Sequence, residues 1–488
     1  MRRVGLVEPT LLMNPVTSYI QGSWLPSVSG VSYPNPGNLN EPGASYSPAS
    51  ETDADKAMEA AHRAFPQWAC VPRQERISLL REWLHRIESE RESLANRITS
   101  ENGKSTLDSN LEIDSAIRDA TYLLDQAEIF EDELPEKIPT TTVFAPVGVF
   151  LLITPWNFPL ATLLRKIVPA LAYGNSVVVK PSEFTPGPAA FTFQLLHSLG
   201  LPSGTANLVL GTGSDLGPAL LRHPSLQGVS FTGSTLAGRR IQLETAGRGI
   251  RLQLEMGGKN ALVVLEDANL ESAAEAACEA GFRCAGQWCT GTSRLIVEES
   301  IRQEFTSLLL NRISNLKVGP GFLKDYHLGP VIHEGRFREI LQAIERAQGE
   351  GAECLAGGHA VGPVEGYHGY FIAPTLFANV SPQHILFHEE VFGPVLSLTS
   401  AVSIEDAIRL ANRSEYGLSF SVFTRDSRKG RSVIEQVDAG ICHLNLHTAY
   451  RSPDMPVAGW KQSGFGPPEC GPSAHDFFTR LKAVYLNP

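Results

Sequence analysis

The sequence lacks the features that would place the protein in a membrane, on nucleic acid or around a metal ion. No stretch of about eighteen apolar residues occurs, so we expect no membrane-spanning helix. The 488 residues carry a net charge of −11, which makes nucleic acid an unsuitable partner. The seven cysteines form no Cys-x-x-Cys or Cys-x-x-His pattern. We therefore expect no metal site, and free thiols in a cytoplasmic protein.

From residue 147 onward, short apolar runs alternate with helical patterns. This alternation is typical of an α/β fold with parallel sheets covered on both faces. The predicted strands are Gly148–Thr154, Ser176–Lys180, Asn207–Leu210, Gly228–Thr232, Arg251–Glu255 and Asn260–Leu265. The predicted helices are Leu160–Leu171, Pro188–Leu199, Leu270–Arg283, Ile301–Leu316 and Phe337–Gln348.

The two ends of the chain carry different signals. Residues 1 to about 50 are rich in Pro, Gly, Ser and Asn, which predicts an irregular arm. Thr52 or Asp53 is expected to cap the first helix. A break near Glu133–Thr142 predicts the start of an assembly hairpin, and Asp476–Leu486 predicts a strand paired elsewhere in an assembly.

The chemistry centres on Cys289, which lies in a glycine-flanked turn, and on Glu255 about thirty residues upstream. A cysteine nucleophile and a carboxylate base on one chain suit covalent catalysis. Taken alone, each residue has an ordinary structural explanation. Glu255 would be a capping or paired carboxylate, and Asn157 a turn residue before Phe158-Pro159. The pattern that follows favours the catalytic interpretation.

Seven motifs in one order resemble the NAD(P)-dependent aldehyde dehydrogenases. They are Ile153-Thr-Pro-Trp-Asn-Phe-Pro159, Lys180-Pro-Ser-Glu183, Phe231-Thr-Gly-Ser-Thr235, Glu255-Met-Gly-Gly258, Gly286-Gln-Trp-Cys289, Glu389-Glu-Val-Phe-Gly-Pro394 and Gly459-Trp-Lys-Gln-Ser-Gly464. They span most of the chain.

The resemblance implies two Rossmann-like parallel-sheet domains and a small oligomerisation β-extension. It divides the chain into a cofactor-binding domain of residues 1–124 and 145–254 and a catalytic domain of residues 255–446. Residues 447–466 would form a substrate-funnel loop, and residues 125–144 and 467–488 would form oligomerisation segments. A homodimer or homotetramer is expected.

The resemblance also implies a site for NAD, with NADP possible. Gly233-Ser234-Thr235-Leu-Ala-Gly238 follows a strand and opens a helix, which suits phosphate; an ordinary strand-to-helix turn is the alternative. Glu183 would repel a 2′-phosphate and favour NAD. The expected cofactor residues are Ile153, Thr154, Pro155, Trp156, Lys180, Ser182, Glu183, Gly213, Phe231, Gly233, Ser234, Gly238, Met256, Gly257, Glu390 and Phe392.

The expected reaction forms a thiohemiacetal and then a thioester on Cys289. Asn157 would stabilise the oxyanion, and Glu255 would activate water to release a free acid. Two departures from the family pattern stand out: Cys284 replaces a usual asparagine, and Pro456-Val457-Ala458-Gly459 replaces Pro-Phe-Gly-Gly. Cys284 could form a disulfide with Cys289 or pack as a small buried side chain.

The substrate prediction depends on arginines. In succinate-semialdehyde dehydrogenases, arginines at the places matching Arg165 and Arg283 hold a distal carboxylate. Alternatively, Arg165 faces solvent and Arg283 ties down the active-site loop. Arg451 is a third candidate. We expect an ω-semialdehyde acid such as 2-oxoglutarate or succinate semialdehyde; the alternatives are an uncharged aromatic or aliphatic aldehyde and, more remotely, a catalytically silent structural protein.

Overall fold

The computed structural model describes residues 15–130 and 140–486. Their α-helices are α1 (Glu51–Ala69), α2 (Arg73–Ser89), α3 (Arg91–Asn102), α4 (Thr106–Ile129), α5 (Ala161–Ala172), α6 (Pro186–His197), α7 (Gly213–Arg222), α8 (Thr235–Thr245), α9 (Leu270–Phe282), α10 (Arg302–Ser314), α11 (Glu334–Gly349), α12 (Ile385–His388), α13 (Ile404–Asn412), α14 (Ser427–Ile434) and α15 (Ala474–Phe478).

Their strands are β1 (Tyr19–Ile20), β2 (Ser23–Trp24), β3 (Val31–Asn35), β4 (Asn38–Tyr46), β5 (Thr140–Pro146), β6 (Val149–Ile153), β7 (Ser176–Lys180), β8 (Ala206–Leu208), β9 (Leu226–Thr232), β10 (Arg251–Glu255), β11 (Asn260–Val264), β12 (Thr292–Glu298), β13 (Glu353–Ala356), β14 (Thr375–Ala378), β15 (Val395–Ala401), β16 (Tyr416–Gly417), β17 (Ser419–Phe423), β18 (Ile441–Leu444), β19 (Trp460–Lys461), β20 (Gly464–Phe465) and β21 (Thr479–Tyr485).

Two large sheets organise the fold. The first has the order β2-β1-β8-β7-β6-β9-β10-β20, and the second has the order β13-β14-β15-β12-β11-β17-β18. In the first sheet, the neighbouring strands in the series β8-β7-β6-β9-β10 are parallel. In the second sheet, those in the series β14-β15-β12-β11-β17-β18 are parallel. Strands β1, β2, β13 and β20 add antiparallel edges. The predicted α/β class with parallel sheets is therefore confirmed.

The central strands β6 and β11 are largely apolar because both faces of each sheet are buried. In β6, Phe150 and Leu152 belong to one core cluster, while Val149 and Leu151 belong to the cluster on the opposite face. The same alternation splits β11 between two further clusters. This packing fixes where each strand ends, and the ends carry the site.

The predicted strands Ser176–Lys180 and Arg251–Glu255 match β7 and β10 residue for residue, and the other predicted elements agree within a few residues. The first-helix cap was predicted wrongly. Ser50 caps α1 by accepting a hydrogen bond from the backbone N–H of Asp53, and the carboxylate of Asp53 accepts one from the N–H of Ser50. Asp53 is thus the third residue of the helix.

Both terminal predictions need correction. Residues 15–50 are not an irregular arm, since β1 and β2 extend the first sheet and β3 pairs with β4. In the tail, Ala474–Phe478 is a short helix, and β21 pairs antiparallel with β5 of the same chain. The predicted hairpin start at Glu133–Thr142 lies mostly outside the described residues. No helix within the described ranges is long and apolar enough to cross a membrane.

Asn175 joins three parts of the chain behind the first sheet. Its buried side-chain oxygen accepts hydrogen bonds from the N–H groups of Val147 and Gly148 at 2.7 and 3.0 Å. Its amide nitrogen donates to the carbonyls of Ala170 and Phe478 at 3.1 and 2.9 Å. Asn175 therefore ties the entry to β6 to the end of α5 and to the C-terminal segment.

We expect Asn175→Ala to lower the melting temperature by several degrees. The N–H groups of Val147 and Gly148 and the carbonyl of Phe478 would be left without this buried partner, and each unsatisfied group costs about 1–3 kcal/mol, whereas the Ala170 carbonyl keeps the backbone N–H of residue 175. Differential scanning calorimetry at a fixed scan rate measures the change. The control is Gln303→Ala at an exposed position of α10, which should melt within about a degree of the unmodified protein. Equal melting temperatures for both variants would contradict this prediction.

Candidate active site

The ends of both sheets open into a cavity of about 670 Å³. It is reached by the segments that follow β6, β9 and β10 and by the Cys289 loop. Ligands of open α/β sheets bind outside the carboxyl ends of strands. The lining residues are Pro155, Trp156, Asn157, Thr232, Gly233, Ser234, Thr235, Leu236, Met256, Gly257, Cys289, Arg336, His388, Glu389, Glu390, Phe392, Glu415 and Tyr416.

Sequence reasoning placed ten of these residues in the site and missed the others. Thr232 and Thr235 lie within the motif that begins at Phe231, and Leu236 follows it directly. Their position in the sequence could therefore have indicated that they line the site. Arg336 had no sequence signal. It lies on α11 and donates to the carbonyls of Val391 and Phe392, which holds the Glu390–Phe392 segment against the cavity.

The remaining predicted residues lie around this lining rather than in it. They are Ile153, Thr154, Lys180, Ser182, Glu183, Gly213, Phe231, Gly238 and Glu255, together with the three arginines. Gly213 begins α7, and Gly238 packs beneath Met256, where a Cβ would meet the sulfur at 2.3 Å. The structure therefore shows a packing role for Gly238.

Two adjacent glycines after β10 bring the halves of the site together. A Cβ on Gly257 would meet Glu390 Oε2 at 2.2 Å, and a Cβ on Gly258 would meet the carbonyl oxygen of Cys289 at 2.7 Å. The backbone N–H of Gly258 donates to Glu390 Oε1 at 2.9 Å. Only glycine permits this close approach.

Hydrogen bonds from outside hold the loop that carries Cys289. The amide of Asn260 donates to the carbonyls of Cys289 and Gly291 at 2.7 and 2.8 Å. The side chain of Gln287 donates to the carbonyl of Cys284 at 3.1 Å and accepts from the N–H of Ile332 at 2.9 Å. Cys289 is therefore fixed relative to the second sheet.

Cys284 is a buried free thiol directly upstream. The structure contains no disulfide between Cys284 and Cys289, since both thiols are free. Burial, and after it the charge of Asp108, raises the pKa of Cys284 to about 12 despite nearby Lys104 and Arg283. Of the two alternatives for Cys284, a disulfide with Cys289 or a small buried side chain, the structure therefore shows the buried side chain.

The environment of Cys289 keeps its thiol protonated at neutral pH. Burial by the surrounding protein is the main cause that raises its pKa to about 12, and the charges of Glu390 and Glu255 act in the same direction. The positive charge of Arg165 acts in the opposite direction. A base must therefore take the proton before the sulfur can act as a nucleophile.

Glu255 ends β10 and is buried. Its pKa is raised well above the ordinary value, first by burial and then by the charge of Glu469, while Lys166 and Arg165 oppose the shift. Its Oε2 atom has no hydrogen-bond partner among the described residues. A carboxyl group in this state can exchange a proton closer to neutral pH.

Asn157 lies in the turn between β6 and α5. Its side-chain amide donates to the carbonyl of Gln287 at 3.0 Å, and its side-chain oxygen accepts from the N–H of Phe158 at 3.1 Å. The amide thus reaches the loop that carries Cys289. A preorganised N–H donor at such a place can stabilise an oxyanion.

The site fits a dinucleotide. Ser234 caps α8 and accepts from the N–H of Ala237 at 3.3 Å, so a helix N-terminus faces the cavity. Thr232 presents a hydroxyl without a partner among the described residues. At the far end, Lys180 Nζ lies 4.0 Å from Glu183 Oε2 after β7, and Ser182 accepts from the N–H of Phe184 in the same turn.

The three candidate arginines differ in their partners. Arg283 donates to Asp108 at 2.8 and 3.0 Å and to Glu279 at 2.9 Å. Asp108 lies on α4 and Glu279 on α9, so the contact with Asp108 ties the loop to α4, which favours the structural alternative. Arg165 does not face solvent, since its side chain is only 12% exposed.

Arg165 and Arg451 approach one acceptor from two sides. Their guanidinium nitrogens lie 4.0 and 3.7 Å from Asp119 Oδ2, too far for hydrogen bonds. Arg165 Nε also lies 3.8 Å from Glu469 Oε2. The Arg165 Nε and Arg451 Nη2 donors and the Asp119 oxygen are buried without a hydrogen-bond partner in the described part of the chain.

The cluster formed by these residues contains no metal-binding arrangement. No group of three His, Cys, Asp or Glu side chains within the described ranges is placed to hold a metal ion.

Comparisons with known proteins identify the family of the chain. The aldehyde dehydrogenase family model matches residues 24–484. An alpha-ketoglutaric semialdehyde dehydrogenase of Bacillus subtilis is 36% identical over 484 residues, covering 97% of this chain and 99% of the relative. A 2,5-dioxopentanoate dehydrogenase of Saccharolobus solfataricus is 38% identical over 443 residues, covering 89% and 92%.

A solved structure shows the same fold. Betaine aldehyde dehydrogenase from Staphylococcus aureus in complex with NAD+ superposes with a TM-score of 0.92 at 34% identity, covering 97% of this chain and 94% of that one. The chain therefore belongs to the aldehyde dehydrogenase family of NAD(P)-dependent oxidoreductases.

Proposed function

We propose that the enzyme oxidises an ω-semialdehyde acid, such as 2-oxoglutarate semialdehyde or succinate semialdehyde, to the free dicarboxylic acid. The observation that carries this proposal is the pair of arginines with unfilled donors, Arg165 and Arg451, of which Arg165 is coupled to Cys289 by its charge. The names of the relatives from Bacillus subtilis and Saccharolobus solfataricus support the same substrate class.

Cys289 would attack the aldehyde carbon after its thiol proton passes to solvent water, with Glu255 as the alternative acceptor. The new C–S bond makes a tetrahedral oxyanion, toward which the Asn157 amide and the Cys289 backbone N–H would donate. NAD+, when bound, accepts the hydride that leaves this carbon. Glu390, Phe392 and Trp156 line the cavity where the nicotinamide would lie, and Trp156 meets Phe392 edge to face at 5.5 Å between ring centroids.

Loss of the hydride leaves a thioester on Cys289. Glu255 would then take a proton from water, the hydroxide would attack the thioester carbon, and the C–S bond would break to release the acid. Relatives that transfer the acyl group to coenzyme A tend to lack this base. The presence of Glu255 therefore favours hydrolysis.

The substrate's distal carboxylate would bind between Arg165 and Arg451. It would supply the hydrogen-bond acceptor that both guanidinium groups lack, and planar guanidinium forks suit carboxylates. Arg283 is a weaker candidate because Asp108 and Glu279 already occupy it. An adjacent Asp119 partly balances the positive charge of the pair.

An uncharged aromatic aldehyde is the second candidate. The rings of Phe158 and Trp288 pack with centroids 5.3 Å apart, directly beside Asn157 and Cys289 in sequence. These rings would suit an apolar substrate. The buried arginine pair nearby would then lack a role in binding.

We also propose that the β5–β21 sheet joins subunits of a homodimer or homotetramer. Leu481 and Tyr485 on β21 are 62% and 81% exposed, which is unusual for large apolar side chains.

We also propose a cytoplasmic location, since all seven cysteines are free thiols. The domain boundaries given above remain predictions.

Charge selectivity tests the substrate proposal. Succinate semialdehyde should exceed butanal in kcat/KM by about ten- to a hundredfold, because a charge-assisted contact contributes about 1.5–3 kcal/mol. Arg451→Gln should erase this ratio and leave butanal nearly unchanged, since the residues around Cys289 stay in place. Arg165→Gln should erase it too, with some loss on butanal because Arg165 also affects the pKa of Cys289.

Two controls accompany that comparison. Arg283→Gln should keep the selectivity if Arg283 only anchors the loop, and Arg338→Ala on the exposed face of α11 should change nothing. If butanal or benzaldehyde is the better substrate of the unmodified enzyme, the carboxylate site is wrong and the uncharged-aldehyde candidate replaces it.

Glu255→Gln should slow acid release while sparing the first hydride transfer. The amide cannot take a proton from water, so stopped-flow traces should show a burst of NADH followed by slow turnover. In the unmodified enzyme the slow step should accelerate as pH rises through the raised pKa of Glu255, because only the ionised form is a base. The variant should lose this pH dependence.

Cys289→Ala is the matched control, which should bind NAD+ and give no burst. Loss of the burst in Glu255→Gln, with NAD+ binding intact by calorimetry, would instead assign Glu255 to deprotonation of the thiol.

Cofactor choice should depend on Glu183. A carboxylate beside the adenosine ribose repels a 2′-phosphate, so NAD+ should be preferred by kcat/KM. Glu183→Gln should raise the efficiency with NADP+ by about tenfold, or roughly 1.4 kcal/mol, while Glu435→Gln at an exposed site of the second sheet's periphery should not. Equal efficiency with both cofactors in the unmodified enzyme would contradict the role of Glu183.

A further inference from the structure

A buried lysine lies directly behind the turn that carries Asn157. Lys104 is 2% exposed, and its ammonium donates to the carbonyl oxygen of Asn157 at 2.5 Å. The same ammonium lies 2.7 Å from Glu112 Oε2, and Glu112 is equally buried. The reaction steps described above use neither residue.

The second oxygen of Glu112 holds the other end of the turn. Glu112 Oε1 accepts from the N–H groups of Leu160 and Ala161 at 2.8 and 3.2 Å, where α5 begins. Asn102 donates from its side-chain amide to the carbonyl of Trp156 at 2.9 Å. Three polar side chains from residues 102–112 therefore grip the backbone on both sides of Asn157.

General stability is a weak reason for this arrangement. Burying an ion pair removes both charges from water, and an apolar pair of similar volume is often as stable or more stable. Lys104 nonetheless stays charged. Burial lowers its pKa, but Glu112, Cys284 and Asp108 together more than offset this, so the net shift is upward. Directed hydrogen bonds to the backbone are what an apolar pair could not supply.

The direction of these bonds matters because of what Asn157 must do. Its side chain can point toward the Gln287 carbonyl, and so toward the Cys289 loop, only if its own peptide is held in this orientation. Oxyanion donors act through preorganised geometry, and an error of about 1 Å can cost about a hundredfold in rate.

We propose that Asn102, Lys104 and Glu112 form a positioning clamp that sets the aim of the Asn157 amide at the oxyanion. The proposal rests on the proposed role of Asn157. The clamp residues do not touch the substrate, so they act through Asn157. Removing the clamp should therefore slow the step that forms the oxyanion rather than weaken the binding of NAD+.

The test is a double-mutant cycle on the full-length enzyme. Lys104→Met/Glu112→Gln removes the donation to Asn157 and the buried charges together, while the glutamine oxygen can still accept from Leu160 and Ala161. In the unmodified background, the rate of the NADH burst with succinate semialdehyde or butanal, whichever is turned over, should fall by about ten- to a hundredfold. The Kd for NAD+ should change less than about threefold.

In the Asn157→Ala background, the same double substitution should change the burst rate by less than about twofold, because the donor that the clamp aims is gone. Asn102→Ala provides a second arm that leaves no buried charge and should show the same dependence with a smaller loss. Asn175→Ala is the stability control: it should lower the melting temperature while leaving the burst rate within twofold in both backgrounds.

Equal losses in both backgrounds, or a lower melting temperature with an unchanged burst rate, would overturn the clamp as a positioning device. If the double variant does not fold, the Asn102→Ala arm decides by the same criterion. If Asn157→Ala alone leaves the burst rate unchanged, the proposed role of Asn157 fails first, and the clamp falls with it. That result differs from equal losses in both backgrounds, which would contradict the clamp alone.

Discussion

The reaction centre depends on a group of charges that the fold keeps out of water. Lys166 and Glu469 form a buried pair at 2.8 Å, and Arg165 lies next to it. Burial favours protonation of Glu469, but Lys166 and Arg165 outweigh it and lower the pKa. Within the described residues no cation pairs with Glu255 in this way, and its pKa is raised. The pKa values of two neighbouring carboxyl groups are thus shifted in opposite directions. Glu469 is held as a fixed negative charge, whereas Glu255 can bind a proton more readily.

The fold assembles this group from distant parts of the chain. Lys166 and Glu469 are 303 residues apart, and Glu255 arrives at the end of a central strand. Cys289 comes from the second sheet, held by Asn260 at the start of β11. Because parallel strands end at one edge of a sheet, a strand's final residue and the following turn meet residues from elsewhere in the chain. Loss of either sheet's packing would therefore separate Cys289 from Glu255.

The sequence predicted what short-range patterns and motifs encode. Apolar runs located β7 and β10 without error, and the motif order pointed to Cys289, Glu255 and Asn157. It could not predict β1 to β4, because β1 and β2 have two residues each, while Pro34 in β3 and Pro42 and Gly43 in β4 leave little periodic signal. Nor could it show that Arg283 is occupied by Asp108, 175 residues earlier, or that Arg336 lines the cavity. Such pairings depend on tertiary packing.

The Cys289 loop shows how far its geometry depends on its surroundings. Cys284 and Ala285 have φ angles of 52° and 54°, in the left-handed region. This conformation costs a residue with a Cβ roughly 1–2 kcal/mol, and asparagine, usual at the first place in relatives, tolerates it better than cysteine. The loop therefore cannot hold this shape by its own preference. Gln287, whose side chain bonds to the carbonyl of Cys284 and the N–H of Ile332, supplies the constraint. Because the carbonyl of Gln287 also accepts a hydrogen bond from the Asn157 amide, the same residue that stabilises the strained turn connects the Cys289 loop to Asn157.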